Sequence, residues 1–524
     1  MTQANPPLSD ADARRSIHED LDQTVFVEAA AGTGKTTALV GRIVSLLRAG
    51  KGTLDRVVAV TFTEKAAGEM KLRLRSEIER VRADAELDPQ ERTRLDAALE
   101  KLELARIGTI HGFCLDLLHE RPIEAGVDPL FEIASPDEAE RLLDQAFEDW
   151  FQRALSDPPE GVRRILRRRP RGFGAAGPRE TLRGAVGTLR EHRDFEAAWT
   201  RPPFERIAAI DGVMEALEAL AALSAQADDP EDWLAKNIAN VERFVSENAL
   251  REGVRSRDHD ALEAELRELA RDRRNGWHWR GRNRKWFAPD VARTEVVERR
   301  DGAKLALDAL LEACDADLAA CLREELRPVI DAYQGRKKQA GVLDFVDLLI
   351  GARDLLVREP VARAELQERF THYFVDEFQD TDPLQAEILL LLAADDPLET
   401  DWRSARPRPG KLFLVGDPKQ AIYRFRRADV AIYEATKSRL AALGASVLQL
   451  RTSFRAPPSL QAMVNAAFEP LMKGAPDGSQ ADYVALDGAR PEVEGRPTVI
   501  ALPTPRPYGA VSYTHLTLPT ILLV

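Results

Sequence analysis

Cysteine is scarce. The 524 residues hold three, Cys114, Cys314 and Cys321, spaced neither as a CxxC pair nor as a ligand cluster with histidine. That argues against a disulfide framework or a zinc ribbon and leaves reduced core thiols, as a cytoplasmic protein keeps them. Long apolar runs are also missing: none approaches the roughly 18 residues of a membrane span. The opening MTQANPPLSDADARR has no basic-then-apolar secretory layout. Nor is there a surplus of positive charge. A net charge of −13 excludes a uniformly basic nucleic-acid coat, though not a local basic groove on an acidic body. What remains, 44% hydrophobic and 31% charged residues, suffices to bury real cores, and the length suggests about three or four domains.

Near the N-terminus a β-branched and aromatic stretch, Thr24 to Glu28, runs into AAAGTGKTT and then into the helix-like ALVGRIVSLLRAG. Strand, tight loop and helix in that order is the context of a phosphate-binding loop. Small residues let backbone N–H groups point inward at the positive end of the new helix. Ala29, Ala30, Ala31, Gly32, Thr33, Gly34, Lys35, Thr36 and Thr37 would line a nucleotide. Lys35 would reach the β- and γ-phosphates, and the Thr36 hydroxyl would complete a magnesium shell. Ala29 stands where the usual pattern has its first glycine, which is tolerable if that position needs no positive φ.

A second constellation, HYFVDEFQD at 372–380, places acids behind a buried-looking strand. Of Asp376 and Glu377, one carboxylate can hold a magnesium ion, through water, while its neighbour takes the proton from an attacking water. Gln379 and Asp380 extend the polar edge. Acidic pairs at strand ends are common by themselves; the phosphate loop gives this one its meaning.

Further strand-to-helix corners follow the same grammar. In VVAVTFTEKAAGEM, Phe62 sits at a strand end with Thr61 and Thr63 on either side. Its ring could stack on a base, or it could be a core phenylalanine. In RIGTIHGFC the single His111 fits a structural histidine. KLFLVGD leads to Gln420, close enough to sense a γ-phosphate beside Asp376. Tyr423 and Phe425, interleaved with Arg424, Arg426 and Arg427, mix rings and cations as a single-strand stacking platform does. SVLQL leads into RTSFRAPPSLQ, where Phe454 could cover a flat base and Arg455 could approach the terminal phosphate.

AAAGTGKT, VTFTEKAAGEM, TIHGFC, VDEFQD, LVGDPKQAIYRFRRAD and TSFRAPP, in this order, resemble the motif set of superfamily 1 DNA helicases of the UvrD/RecB/AddA kind. The match spans residues 24–116 and 343–465. The resemblance implies an α/β fold: a RecA-like P-loop NTPase core with a parallel sheet, formed by residues 1–116 and 343–440. It further implies a large helical insertion domain at 117–342 and a truncated second RecA-like lobe beginning at 441–510. The expected activity is a 3′→5′ translocase on single-stranded DNA that opens double-stranded DNA with ATP and Mg2+. Its implied setting is recombinational break repair, within a cytoplasmic helicase–nuclease of the exodeoxyribonuclease V beta or AddA type that has a partner subunit. By position, Lys35 and Thr36 serve phosphate and metal, Asp376 the metal, and Glu377 activates water. Gln420 couples the γ-phosphate to DNA, Phe454 stacks on adenine, Arg455 is an arginine finger, and Phe62, Thr63, Tyr423 and Phe425 face DNA. The family usually carries a glutamine some twenty residues ahead of the loop lysine; here LSDADARRSI offers Asp12 or Ala13. In another class stands a nucleotide-binding scaffold that grips DNA or a partner without productive hydrolysis.

The 117–342 segment is too long for a loop and is rich in Leu, Ala, Glu and Arg at helical spacing. It contains two basic runs, VRRILRRRPRG at 162–172 and RDRRNGWHWRGRNRKWF at 271–287. Charge runs usually form solvated faces. The second, with Trp277, Trp279 and Trp286 among its cations, reads as a candidate DNA surface. After Arg506 no charged residue occurs, where average composition would give about five or six. SYTHLTLPT there resembles translated sequencing-adapter DNA, so residues 511–524 are expected to be non-native.

Overall fold

A computed structural model describes residues 8–170, 176–195, 201–272, 275–277, 285–423, 427–475, 480–492, 495 and 498–500. Phe425 with its neighbours Arg424 and Arg426, Trp279, and the tail from residue 511 lie outside the described residues. The chain forms two compact units, one running through Phe131 and resuming at Phe345, the other Glu132–Asp344.

In the first unit the apolar β-branched runs become β1 Val25–Ala29, β2 Val57–Thr61, β3 Arg106–Thr109, β4 His372–Val375, β5 Leu412–Gly416 and β6 Ser446–Leu450. They make one six-stranded sheet in the order β6-β1-β5-β4-β2-β3, every neighbouring pair parallel. Strands β2 and β5 are buried throughout, while the edges β3 and β6 are mostly half-buried. A central parallel strand has both faces covered, which is why its sequence is continuously apolar rather than alternating. With all strands running one way, the residues that follow them emerge at a single edge, where ligands of open parallel sheets bind.

One face of the sheet carries Val25, Val27 and Ala29 against Leu39, Ile43 and Leu46 of helix Lys35–Arg48 and Met70, Leu74 and Ile78 of helix Glu64–Arg82. On the other face Phe26 meets the rings of Phe378 and Tyr433 edge-on. Arg42 is buried and donates to the carbonyls of Ile17, Asp20 and Gln23. It thereby ties the N-terminal helix Ala11–Glu19 to the helix behind the phosphate loop.

The border expected at 440/441 moves. Strand β6 pairs with β1 over its whole length and belongs to the first sheet. Five apolar residues read alike in either lobe; long-range pairing decides, reinforced by the Asp10 carboxylate, which accepts from the Arg451 and Thr452 N–H groups just after β6. Thr452–Ser453 then pairs with Asp487–Gly488, and helix Pro458–Phe468 follows. At the earlier border, helix Ile110–Glu120 runs through residue 117, and the second unit starts at Glu132.

His372, at the start of β4, is pushed down to about 4 by burial and by Arg42, Lys411 and Arg56. The unfolded chain, with an ordinary value near ~6.5, takes up the proton first, so this contribution to stability is full above that pH and is lost as pH falls toward 4. Unfolding free energies from urea titrations at pH 7.5 and 5.5 should therefore differ by about 1 kcal/mol more in the wild type than in His372→Gln. Equal pH dependence in both would contradict this origin.

The second unit is helical, as its composition suggests, around the 48-residue helix Arg293–Ala340. One end of that helix packs on helices Arg206–Ala221 and His259–Arg271, the other on Pro136–Ser156 and Pro178–Glu191. The first basic run is largely internal wiring. Arg164 is fully buried and bonds Glu263, Asp317 and the Cys314 carbonyl. Arg163, Arg167 and Arg168 pair with Asp260, Asp258 and Asp315. Within the candidate DNA surface at 271–287, the expectation for Trp277 is corrected: it is a core residue whose indole N–H donates to the Leu269 carbonyl at 2.9 Å. Its apolar ring outweighs the cationic neighbours, and only the half-exposed Trp286, beneath Lys285, remains at the surface among the described rings. All three cysteines are buried, and no described helix is long and apolar enough to cross a membrane.

Candidate active site

Three adjacent strands, β1, β5 and β4, deliver the polar residues to one sheet edge. After β1 the chain turns through Gly32 and Gly34, at φ +80° and +87°, into helix Lys35–Arg48. Thr33, fully buried, closes the loop by donating its hydroxyl to the Ala30 carbonyl at 2.8 Å. Gly32 is required twice over. Its backbone is left-handed, and a Cβ there would come within 2.5 Å of the Arg455 Cβ. The Gly32 carbonyl also accepts the Phe454 N–H at 2.8 Å. The segment after β6 is thus stitched to the phosphate loop.

Lys35 Nζ lies 2.5 Å from Glu377 Oε2, and Thr36 Oγ1 donates to Asp376 Oδ2 at 3.2 Å. The Asp376 N–H continues the ladder by bonding the Val60 carbonyl. Glu377 sits at φ 55°, ψ 42°, a left-handed conformation that costs a non-glycine residue roughly 1 kcal/mol or more. That turn aims its carboxylate back at Lys35, and Phe378 beneath it anchors the turn against Phe26 and Tyr433. Burial first, and then the Glu377 charge, push the Asp376 carboxyl upward. The same two causes push Asp380 up to about 6, and its Oδ1 is buried with no hydrogen-bond partner. An acidic pocket in which three carboxylates share the single lysine Lys35, beside a hydroxyl and a glycine cradle, is chemically suited to a divalent cation and a polyphosphate.

Gln379, 2% exposed, connects this pocket to the next strand. Its amide N–H donates to Glu377 Oε2 at 2.8 Å and Asp380 Oδ2 at 3.1 Å, while its carbonyl accepts the Asp417 N–H at 2.9 Å. Asp417, beyond β5, in turn accepts from the Gln420 amide at 2.7 Å and pairs with Lys419 at 3.0 Å. Three residues on, the Tyr423 ring packs on Phe62, centroids 4.6 Å apart and tilted 34°. The Thr63 oxygen caps helix Glu64–Arg82 by accepting the Ala66 N–H. His111 is edge-on to Phe345, and burial pushes its ring toward neutrality.

Phe454 is 48% exposed at the mouth of the loop, and Arg455 is exposed beside it. Thr37 and Ala31 are exposed, whereas Ala29 and Ala30 are buried. The structure therefore gathers Lys35, Thr36, Asp376, Glu377, Phe454 and Arg455 around one loop, with Gln420, Tyr423 and Phe62 one strand away. At the family's glutamine position neither candidate reaches the loop: Asp12 is exposed and pairs with Arg15, and Ala13 packs on the core. Arg14 does reach it. It donates to the Thr33 carbonyl at 3.0 Å, and its guanidinium lies 5.1 Å from the Phe454 ring centre. Arg14, its anchor Asp10 and the Gln379 bridge escaped the sequence; the four-residue spacing of Asp10 and Arg14 on a helix was the only available signal.

Residues 10–441 match the UvrD/REP helicase N-terminal domain. The chain belongs to that family. Several curated relatives are named as subunits of an ATP-dependent helicase/nuclease. The protein of Syntrophomonas wolfei is 26% identical over 499 residues, covering 86% of this chain and 37% of its own. That of Oceanobacillus iheyensis is 28% identical over 460 residues, 78% of this chain and 35% of the relative. That of Staphylococcus carnosus is 27% identical over 498 residues, 86% and 38% respectively. The chain thus spans little more than a third of the length of these relatives. Lys35 and Thr36 lie near the start of that match, Asp376, Glu377 and Gln420 toward its end, and Phe454 and Arg455 just beyond it.

Proposed function

We propose that this chain carries the nucleotide site of an ATP-dependent DNA motor of the UvrD/REP type, and that hydrolysis there is coupled to single-stranded DNA. The observation that carries the proposal is one bonded path: Lys35 to Glu377, Glu377 to Gln379, Gln379 to Asp417, and Asp417 to Gln420, three residues before Tyr423. Lys35 leaves Glu377 for the β- and γ-phosphates when the nucleotide enters, which frees the Glu377 carboxylate to accept a proton from the attacking water. Thr36 and Asp376 would hold Mg2+, which when bound would offset phosphate charge. Gln420 reports on the γ-phosphate side, and Arg455, beside Gly32, supplies positive charge where it is needed. An intact Glu377 favours hydrolysis over a non-hydrolysing scaffold.

The order of the motifs supports a wider setting of 3′→5′ movement, repair of DNA breaks and the cytoplasm. The names of the relatives support a helicase–nuclease with a partner subunit. We further infer that the residues after Leu450 open a second motor lobe, since Thr452–Ser453 leaves the first sheet to pair with Asp487–Gly488. DNA contact is assigned to Phe62, Thr63, Tyr423 and Phe425. Tyr423→Ala and Phe62→Ala should each weaken binding of a labelled single-stranded oligonucleotide by roughly 1–3 kcal/mol, with the salt slope unchanged, because stacking releases no counterions. Anisotropy titrations at several salt concentrations check this. Wild-type affinity in both variants would make the pair core residues and remove the DNA assignment.

A further inference from the structure

The start of the N-terminal helix holds a segment of chain far from its own. Asp10 precedes helix Ala11–Glu19, where an aspartate ordinarily accepts from the N–H groups of the turn it opens. Here its side chain makes no such cap. The buried carboxylate turns instead to Arg14 and to the chain leaving β6. Oδ1 accepts from Arg14 Nε and the Thr452 hydroxyl, both at 2.9 Å. Oδ2 accepts from Arg14 Nη2 at 2.8 Å and from the Arg451 and Thr452 N–H groups at 2.9 and 3.0 Å. Burial opposes ionisation of Asp10, but the bonds from Arg14 and Thr452 outweigh it and hold the carboxyl below the usual range. The Ser9 hydroxyl adds a bond to Asp487 at 2.7 Å, on the strand that pairs with Thr452–Ser453.

The far side of this assembly is the phosphate loop. Arg14 Nη2 bonds the Thr33 carbonyl at 3.0 Å, and its guanidinium packs on the Phe454 ring, 5.1 Å from the centre. The Phe454 N–H is tied to the Gly32 carbonyl, and Arg455 follows with its Cβ against Gly32. Arg451, Thr452 and Phe454 are each gripped, so the Arg455 side chain starts from a fixed point. We propose that Asp10 and Arg14 are positioning residues for Arg455: they clamp the segment after β6 to the phosphate loop, so that the Arg455 guanidinium is presented to the terminal phosphate as charge develops there. This rests on the reading above in which Arg455 supplies positive charge to the reaction. A preorganised cation costs no reorganisation at the moment of reaction, and a misplacement of about 1 Å can cost on the order of 10²-fold. Asp10 spends both of its oxygens on Arg14 and the 451–452 backbone, so its influence on the nucleotide passes through them.

The test is equilibrium titration of the full chain with fluorescent ribose-labelled ADP in Mg2+, with and without aluminium fluoride, which takes the place of the phosphoryl group in transfer. The gain in affinity on adding aluminium fluoride reads contacts made in the transition state and not in the ground state. Asp10→Asn keeps the shape, but whichever way the amide turns, its NH2 meets an Arg14 N–H. It should cut the gain by about tenfold or more and leave the affinity for ADP alone within about twofold. Arg455→Ala should cut the gain at least as far, and adding Asp10→Asn to Arg455→Ala should cut it no further. Arg14→Met, which keeps an apolar stem beside Phe454, should behave as Asp10→Asn does and serves if that variant folds poorly. A gain undiminished in Asp10→Asn and Arg14→Met, or the same loss from Asp10→Asn with and without Arg455, overturns the inference while the nucleotide site stands. If aluminium fluoride brings no gain in wild type, the reading of Arg455 fails and this inference with it.

Discussion

Glu377→Gln is expected to lower nucleotide hydrolysis by about 10²- to 10⁴-fold while leaving nucleotide affinity within a few-fold of wild type. Gln keeps the shape and can still accept from the Gln379 amide, which holds Glu377 Oε2 at 2.8 Å. What it loses is the capacity to take a proton from water. The left-handed backbone at this position costs both residues alike, and Phe378 still anchors the turn, so the fold should hold. Binding is spared because Lys35, freed from its 2.5 Å contact with Glu377, is more available to phosphate. Phosphate release and nucleotide titration on the same preparation separate the two effects. Undiminished hydrolysis would remove Glu377 from the chemistry.

Lys35→Ala should act on the other limb and weaken binding of Mg2+-nucleotide by roughly 100- to 1,000-fold. Hydrogen bonds to charged groups contribute about 1.5–3 kcal/mol each, and this lysine is placed to serve two phosphates. Its side chain is only 10% exposed, so water would replace it poorly. Glu377, at 35% exposure, can be solvated when its partner goes, and the thermal midpoint should move little. Nucleotide titration with a parallel melting curve distinguishes a lost contact from a lost fold. Equal affinity in wild type and variant would end the phosphate-loop assignment.

Much of this was legible because parallel sheets write plainly. Central strands covered on both faces are continuous apolar runs, as in VVAVT and LFLVG, and polar residues that follow them must lie at the binding edge. Lys35, Thr36, Asp376 and Glu377 were therefore findable one motif at a time. Strand order was not, since it depends on pairings between segments hundreds of residues apart. SVLQL looks the same whether it closes the first sheet or opens a second, and only its ladder with β1 decides. Trp277 among arginines suggested a DNA surface because a sequence does not say which way a ring points. Arg14 and the bridge from Gln379 to Asp417 were hidden for a related reason: each acts through a backbone group or carboxylate contributed by a distant loop.

Coupling of the nucleotide site to DNA through Gln379, Asp417 and Gln420 is the central claim, and linkage tests it at equilibrium. Two ligands that bias one bonded path must alter each other's affinity by the same factor. The decisive measurement is the affinity of the chain for a labelled single-stranded oligonucleotide, at fixed salt, with and without a saturating non-hydrolysable ATP analogue and Mg2+. The analogue should shift that affinity by roughly fivefold or more in wild type and not at all in Lys35→Ala. DNA binding that is indifferent to the nucleotide in wild type would contradict the account.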